Sequence, residues 1–162
     1  MITHRDLEST LAAIAPALAK AQHPWWILGS AAVVLHGADT DEIWDVDVLL
    51  DRRDVAAVFA RLGLPVKAGK PDERFRSDIF HRWNGASLPV ELFAGFSLLE
   101  QGEWQVIVPQ TRIAAPCGET TVYIPDRAEL LAILERFGRP KDQRRIAALN
   151  RSGPFPSRSG NA

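Results

Sequence analysis

Two neighbouring stretches decide how this chain reads: "ILGSAAVVLHG" at residues 27–37 and "IWDVDVLL" at residues 43–50. The first is a short apolar run that ends in Gly29-Ser30 and passes into an alanine- and valine-rich helix that Gly37 can close. The second places two acids, Asp45 and Asp47, among Trp44, Val46, Val48, Leu49 and Leu50. A carboxylate among such neighbours is costly unless something positive neutralises it. Residues i and i+2 of a strand share a face, so Asp45 and Asp47 project together and each raises the other's cost of ionisation. A divalent cation removes the problem, because a hard ion such as Mg²⁺ takes carboxylate oxygens and brings phosphates with it.

A third acid of the same kind stands in "PVELFAG", where Glu91 lies between Val90 and Leu92. If that strand pairs beside 43–50, Glu91 lies over the same metal position, and three carboxylates on neighbouring strands can hold two metal ions for in-line phosphoryl chemistry. Gly29 supplies the complementary half, since a glycine at a strand end lets backbone approach a phosphate closely. Ser30 then opens a helix whose free N–H groups and dipole favour an anion. Metal and helix start together describe a site for a nucleoside triphosphate.

Outward from these stretches, residues 4–21 read as an amphipathic helix with Leu7, Leu11, Ile14 and Leu18 on one face. "WWIL" at 25–28 reads as a short buried strand, and Asp39, Asp41 and Glu42 as an acidic loop before the strand 43–50. Asp51 is an N-cap for a helix over 52–63 that ends in glycine. Strands are predicted at 74–83 and 88–96, joined by a hairpin at Asn84-Gly85, and again at 104–109 and 120–125. Asp126 caps a helix over 127–138, and a last helix starts just after Pro140. The order predicts an α+β fold, a mixed or antiparallel sheet flanked by helices with helices at its C-terminal end, in a single domain over 1–150. The Ser-, Gly- and Pro-rich segment 151–162 is expected to be a disordered tail.

Composition narrows the class. The chain has 162 residues, 46% apolar and 24% charged, with a net charge of −1, so it is a globular domain without a global basic field for nucleic acid. A single cysteine, Cys117, excludes an internal disulfide framework and every multi-cysteine zinc motif. With no apolar run near the roughly 18 residues of a membrane span, and no signal-peptide pattern, the expectation is a cytoplasmic protein without a membrane partner.

The set "GSAAVVLHG…DVDVLL…VELF" resembles the nucleotidyltransferase superfamily with the fold of DNA polymerase beta. Within it, the alanine-rich helix after Gly-Ser looks most like that of AbiEii-type toxins and small antibiotic nucleotidyltransferases, and "LLAILERFGRPKDQRRIAAL" is similar to their helical ending. The resemblance implies that Gly29 and Ser30 contact the triphosphate and that Asp45 and Asp47 hold Mg²⁺. It also implies that Glu91 completes the metal site or takes the acceptor's proton, and that Lys141 approaches the phosphates or the last loop. The reaction implied is transfer of a nucleoside monophosphate from an NTP to an acceptor hydroxyl, a small molecule, a protein or RNA, with release of pyrophosphate. A homodimer or a partner protein could complete so short a chain.

Simpler readings stand beside these. The whole domain could be a catalytically inactive nucleotide- or partner-binding module of the same fold. Glu91 could be a surface acid paired with Arg82 or Arg76, Gly29 a packing glycine, Ser30 an ordinary cap and Lys141 part of a helix start. His36 reads as structural and Cys117 as a small buried side chain. Arg74, Arg76, Arg82, Arg144 and Arg145 could form a basic surface with Trp83, whereas Trp25, Trp26, Trp44 and Trp104 belong to the core or an interface.

Overall fold

The structure is a computed structural model that describes residues 4–39 and 43–152. Its centre is a four-stranded mixed sheet in the order β1-β2-β5-β4. β1 (Trp26–Leu28) runs antiparallel to β2 (Val46–Leu49), β2 runs parallel to β5 (Val90–Ala94), and β4 (Ile79–Trp83) closes the other edge antiparallel to β5. Period-two alternation gives this sheet two unlike faces. Ile27, Val46, Val48, Val90 and Leu92 enter the main core. Leu28, Leu49 and Phe93 point the other way, into a small second cluster with Trp26, and that face also carries Asp47 and Glu91.

Helices cover the core face. α1 (His4–Leu18) buries Leu7, Leu11, Ile14 and Leu18, the stripe its spacing foretells, and each such side chain contributes roughly 1.5–3 kcal/mol on leaving water. α2 (Gly29–Leu35) is buried along nearly its whole length, which is why it reads as Ala and Val with no polar face. A 3₁₀ turn at Arg52–Asp54 leads into α3 (Val55–Leu62); Asp51 accepts the Arg53 N–H at its start, and Gly63 ends it in the left-handed conformation. α4 (Arg127–Phe137) is capped by Asp126, which accepts the Glu129 N–H, and α5 (Pro140–Ser152) packs against it.

Two smaller sheets complete the fold: β3 (Phe75–Arg76) with β6 (Ser97–Glu100) and β7 (Glu103–Val106), and the hairpin of β8 (Ile113–Cys117) with β9 (Thr120–Ile124). No described helix is long and apolar enough to cross a membrane.

Several local expectations are corrected. The hairpin at Asn84-Gly85 is real, but β4 and β5 pair from Trp83 to Val90, so the connection spans 84–89 rather than a two-residue turn. The tight turn lies instead at Gln101-Gly102, both at positive φ, joining β6 to β7, and a further strand, β8, occupies a stretch read as a connection. The segment 74–83 breaks into β3 and β4. α2 begins at Gly29, with Leu28 rather than Ser30 in the cap position. Trp44 is 65% exposed, because it precedes β2 and faces away from both clusters. α5 runs two residues into the segment expected as tail; the rest of that tail, like Asp41 and Glu42, lies outside the described residues.

Candidate active site

The polar face of the central sheet is where the acids meet. Asp47 on β2 and Glu91 on β5 are register partners across the parallel pair, so one strand spacing brings their side chains side by side. Asp45 stands just before β2, and one oxygen from each of Asp45, Asp47 and Glu91 lies within 4.8 Å of the others. All three are half-buried.

Electrostatics set this cluster apart from the other acids. Burial, then the neighbouring charges of Asp45 and Glu91, push the Asp47 carboxyl up to about 8, with Arg145 pulling weakly the other way. Burial and Asp45 raise Glu91 as well, against the opposing pull of Arg82, whose guanidinium lies 3.3 Å from Glu91 Oε2. A divalent cation among three oxygen donors relieves both shifts, and the donor set is the hard-oxygen type that Mg²⁺ takes. The residues therefore fit such an ion. The pairing of Glu91 with Arg82 is compatible with this, since each carboxylate has two oxygens.

Gly29 is held at φ +67°, and a Cβ there would stand 2.6 Å from Asp47 Oδ2. Only glycine lets the start of α2 come so close to the acid. Ser30 follows inside the first turn and is 3% exposed; it does not line the cleft.

The cleft over the acids encloses about 220 Å³. Gly29, Asp47 and Glu91 form its floor; Phe75, Phe80, Phe93, Phe96 and Phe137 form an aromatic wall; and Lys70, Arg76, Arg139 and Arg145 bring positive charge. Phe96 meets Phe93 and Phe137 edge-on at 5.2 and 5.9 Å, and Phe75 stacks parallel to it at 6.0 Å. The wall is thus a packed unit rather than five loose rings.

Lys141 is exposed and is not a lining residue of this cleft. The cations from this end of the chain are Arg139 and Arg145, which sequence reasoning did not select for the phosphates. Both are held by Asp142, which is 0% exposed. Arg139 Nε donates to Asp142 Oδ2 at 2.6 Å, Arg145 donates to Oδ1 at 3.4 Å, and the Arg139 backbone N–H donates to Oδ2 at 3.1 Å. The signal was in the spacing: each arginine stands three residues from one acid at a helix start, the separation that puts side chains on one face.

The other candidates have local duties. Arg74 donates to the Phe137 and Arg136 carbonyls at the end of α4, and Arg76 lies over the Trp104 ring at 4.4 Å. Trp83 packs against the main core. His36 is buried with Nε2 2.8 Å from the Pro125 carbonyl, and burial lowers its pKa. Cys117 is half-buried, its thiol pushed up by burial and by Glu8, the opposite of an activated nucleophile.

Comparison with known proteins agrees with this geometry. The sequence model for Aminoglycoside-2''-adenylyltransferase matches residues 10–104, a stretch that contains all three acids. No curated protein sequence matches. Among solved structures, TM1012 of Thermotoga maritima, assigned to the nucleotidyltransferases, superposes with a TM-score of 0.70 at 18% identity, covering 94% of this chain and 97% of that one. The lincosamide antibiotic adenylyltransferase LnuA, bound to lincomycin, gives 0.58 at 13% identity over 92% and 97% of the two chains. The antibiotic-resistance factor ANT(2'')-Ia gives 0.57 at 14% over 93% and 85%. These likenesses establish the fold; the antibiotic nucleotidyltransferases in the resemblance are borne out, while no AbiEii-type toxin is among these relatives. With the family match spanning more than half of its length, the chain belongs to the aminoglycoside-2''-adenylyltransferase family of the nucleotidyltransferase superfamily.

Proposed function

We propose that this chain transfers a nucleoside monophosphate, the adenylyl group of ATP in keeping with its family, to the hydroxyl of an acceptor, with release of pyrophosphate. The observation that carries this reading is the register pairing of Asp47 with Glu91 and the approach of Asp45 to within 4.8 Å of both, on the floor of a cleft. Asp45, Asp47 and Glu91 would hold Mg²⁺. When bound, the ion supplies positive charge to the α-phosphate oxygens and the leaving pyrophosphate.

The remaining steps belong to the chain itself. Arg139 and Arg145, fixed by Asp142, offer guanidinium groups suited to the phosphate oxygens. Gly29 lets the first turn of α2 lie against them, with Ser30 buried behind as support. The phenylalanine wall offers a face for the base and keeps water from the α-phosphorus. Glu91 lines the cleft where an incoming acceptor would meet it, and burial and Asp45, by raising its pKa, favour its taking up a proton. The acceptor oxygen forms a bond to the α-phosphorus, the bond from that phosphorus to the β-bridging oxygen breaks, and the acceptor's proton passes to Glu91.

The test is label transfer from α-labelled ATP with Mg²⁺ to pooled hydroxyl compounds, scored alongside pyrophosphate release. Transfer by the natural chain and its loss in both Asp45→Asn and Asp47→Asn is the expected result. Transfer that survives either substitution removes the catalytic assignment, and binding of Mg²⁺·ATP without any turnover favours an inactive nucleotide-binding module.

A further inference from the structure

The cleft continues into a second hollow of about 500 Å³, a size suited to a small molecule, which shares Lys70, Asp72 and Phe80 with it. This groove runs along β4 and is walled also by Lys67, His81 and Arg82. Its inner end reaches the acids, because Arg82 lies 3.3 Å from Glu91 Oε2. A compound in the groove can therefore present a hydroxyl beside the carboxylate assigned to receive the proton, while the triphosphate occupies the side of Gly29 and Arg145.

The charge of the groove is one-sided. Lys67, Lys70 and Arg82 face a single carboxylate, Asp72. That carboxylate is already engaged, its Oδ1 accepting the Arg74 and Phe75 N–H groups at 2.8 and 2.7 Å. Arg82 spends part of its charge on Glu91, whereas among the described residues no carboxylate lies within ion-pair distance of Lys67 or Lys70. A polyamine entering here would meet two exposed ammonium groups and a guanidinium against the single acid Asp72, a net repulsive arrangement that excludes a partner more effectively than a missing contact does. A phosphate or carboxylate would find both lysines available, with the Phe80 ring beneath the uncharged part of the compound.

We propose, on the transferase reading of the cleft, that the acceptor is a small polyhydroxylated compound bearing a phosphate or carboxylate group, seated between Lys67, Lys70 and Phe80, and not a polycationic amine. The chain would then keep its family's chemistry while taking an acceptor of opposite charge.

The test is a titration of the isotope-labelled protein with glucose 6-phosphate, gluconate or tobramycin, followed through the backbone amides of residues 67–72 and 80–82. It is run with and without saturating Mg²⁺ and a non-transferable ATP analogue. Saturable shifts from glucose 6-phosphate or gluconate, at an affinity about tenfold or more above that of tobramycin, are expected with the analogue in place. The comparison of the two anions separates phosphate from carboxylate. Lys67→Glu, at a residue that lines the groove and not the nucleotide cleft, should weaken the anion about tenfold and leave analogue binding intact. Equal or tighter binding of tobramycin, no response to either anion, or loss of the anion's shifts once the analogue is bound would each overturn the proposal, the last by making the lysines part of the donor site. Failure of the analogue itself to bind would break the transferase reading instead, and the titrations without it would still report the groove's preference.

Discussion

Asp54 and Asp47 lie in two regions of this molecule that treat an aspartate in opposite ways. Behind the sheet, Asp54 is 3% exposed and fully engaged: its oxygens accept the Gln22 N–H at 3.0 Å, the His23 N–H at 2.9 Å and a contact from His23 Nδ1 at 3.0 Å. Burial pushes its pKa up, but the hydrogen bonds from Gln22 and His23 outweigh this and the carboxyl is held below its ordinary value. On the other face, Asp47 meets Asp45 and Glu91 instead of donors, and its pKa rises to about 8. Asp54 ties the end of α1 to the start of α3 and is satisfied by the fold alone. Asp47 is left among like charges, an arrangement that a bound cation would relieve. A perturbed carboxylate in a cleft points to a candidate site, whereas the relaxed Asp54 serves the architecture.

The largest effect that could break this contrast comes from neutralising the strained side. Asp45→Asn with Asp47→Asn should reduce label transfer by roughly 10³-fold or more while thermal stability stays level or rises, since repulsion is removed. A fall in stability without loss of activity would turn these acids into architecture too. Next is Gly29→Ala, which combines a left-handed backbone with a methyl group against Asp47 Oδ2. It should cost about 1–2 kcal/mol in denaturant unfolding and, by displacing the acid, up to ~10² in kcat.

On the relaxed side, Asp54→Ala should lower stability by about 1–3 kcal/mol by leaving two backbone N–H groups without acceptors, with cation affinity unchanged. Melting curves with and without Mg²⁺ would check both halves. The smallest effect is a slope with pH. A carboxyl whose folded pKa lies above its unfolded one makes the folded state hold more protons, so Asp47 makes the metal-free protein lose stability as pH rises from about 4 towards 8. Asp51, held at about 2 by Arg53, contributes the reverse: stability that is present above the ordinary carboxylate range and fades as pH falls through it. Asp47→Asn should flatten the first slope and leave the second.

Much of the site was legible because it rests on strand alternation. Asp47 and Glu91 are acids in apolar strands that one pairing brings side by side, and Asp45 stands just before the first of those strands. What escaped depended on contacts that a linear pattern does not carry. Ser97–Glu100 lacks the alternation of a half-buried strand, since its burial is decided by Phe96, Ile107 and α4 rather than by its own order. Asn84-Gly85 has the composition of a tight turn, but the position of Val90 opposite Trp83 lengthens the loop. Trp44 reads as core or interface by its chemistry; it is not core, since it precedes β2, which starts only at Val46, and it is exposed. Lys141 is expected near the phosphates or the last loop by resemblance; it lies outside the cleft lining, which Arg139 and Arg145, held by Asp142, reach instead.

The most direct measurement is proton release on cation binding. Burial and the neighbouring charges of Asp45 and Glu91 favour the protonated form of Asp47 in the metal-free protein, and a divalent ion can use it as a ligand only by expelling that proton. Adding Mn²⁺ or Mg²⁺ with a non-transferable ATP analogue to weakly buffered protein should release protons at pH 7, more than at pH 9, and Asp47→Asn should lower the release. Cation binding with no proton released, or release unchanged in Asp47→Asn, would contradict the assignment of the three carboxylates as the metal-holding centre.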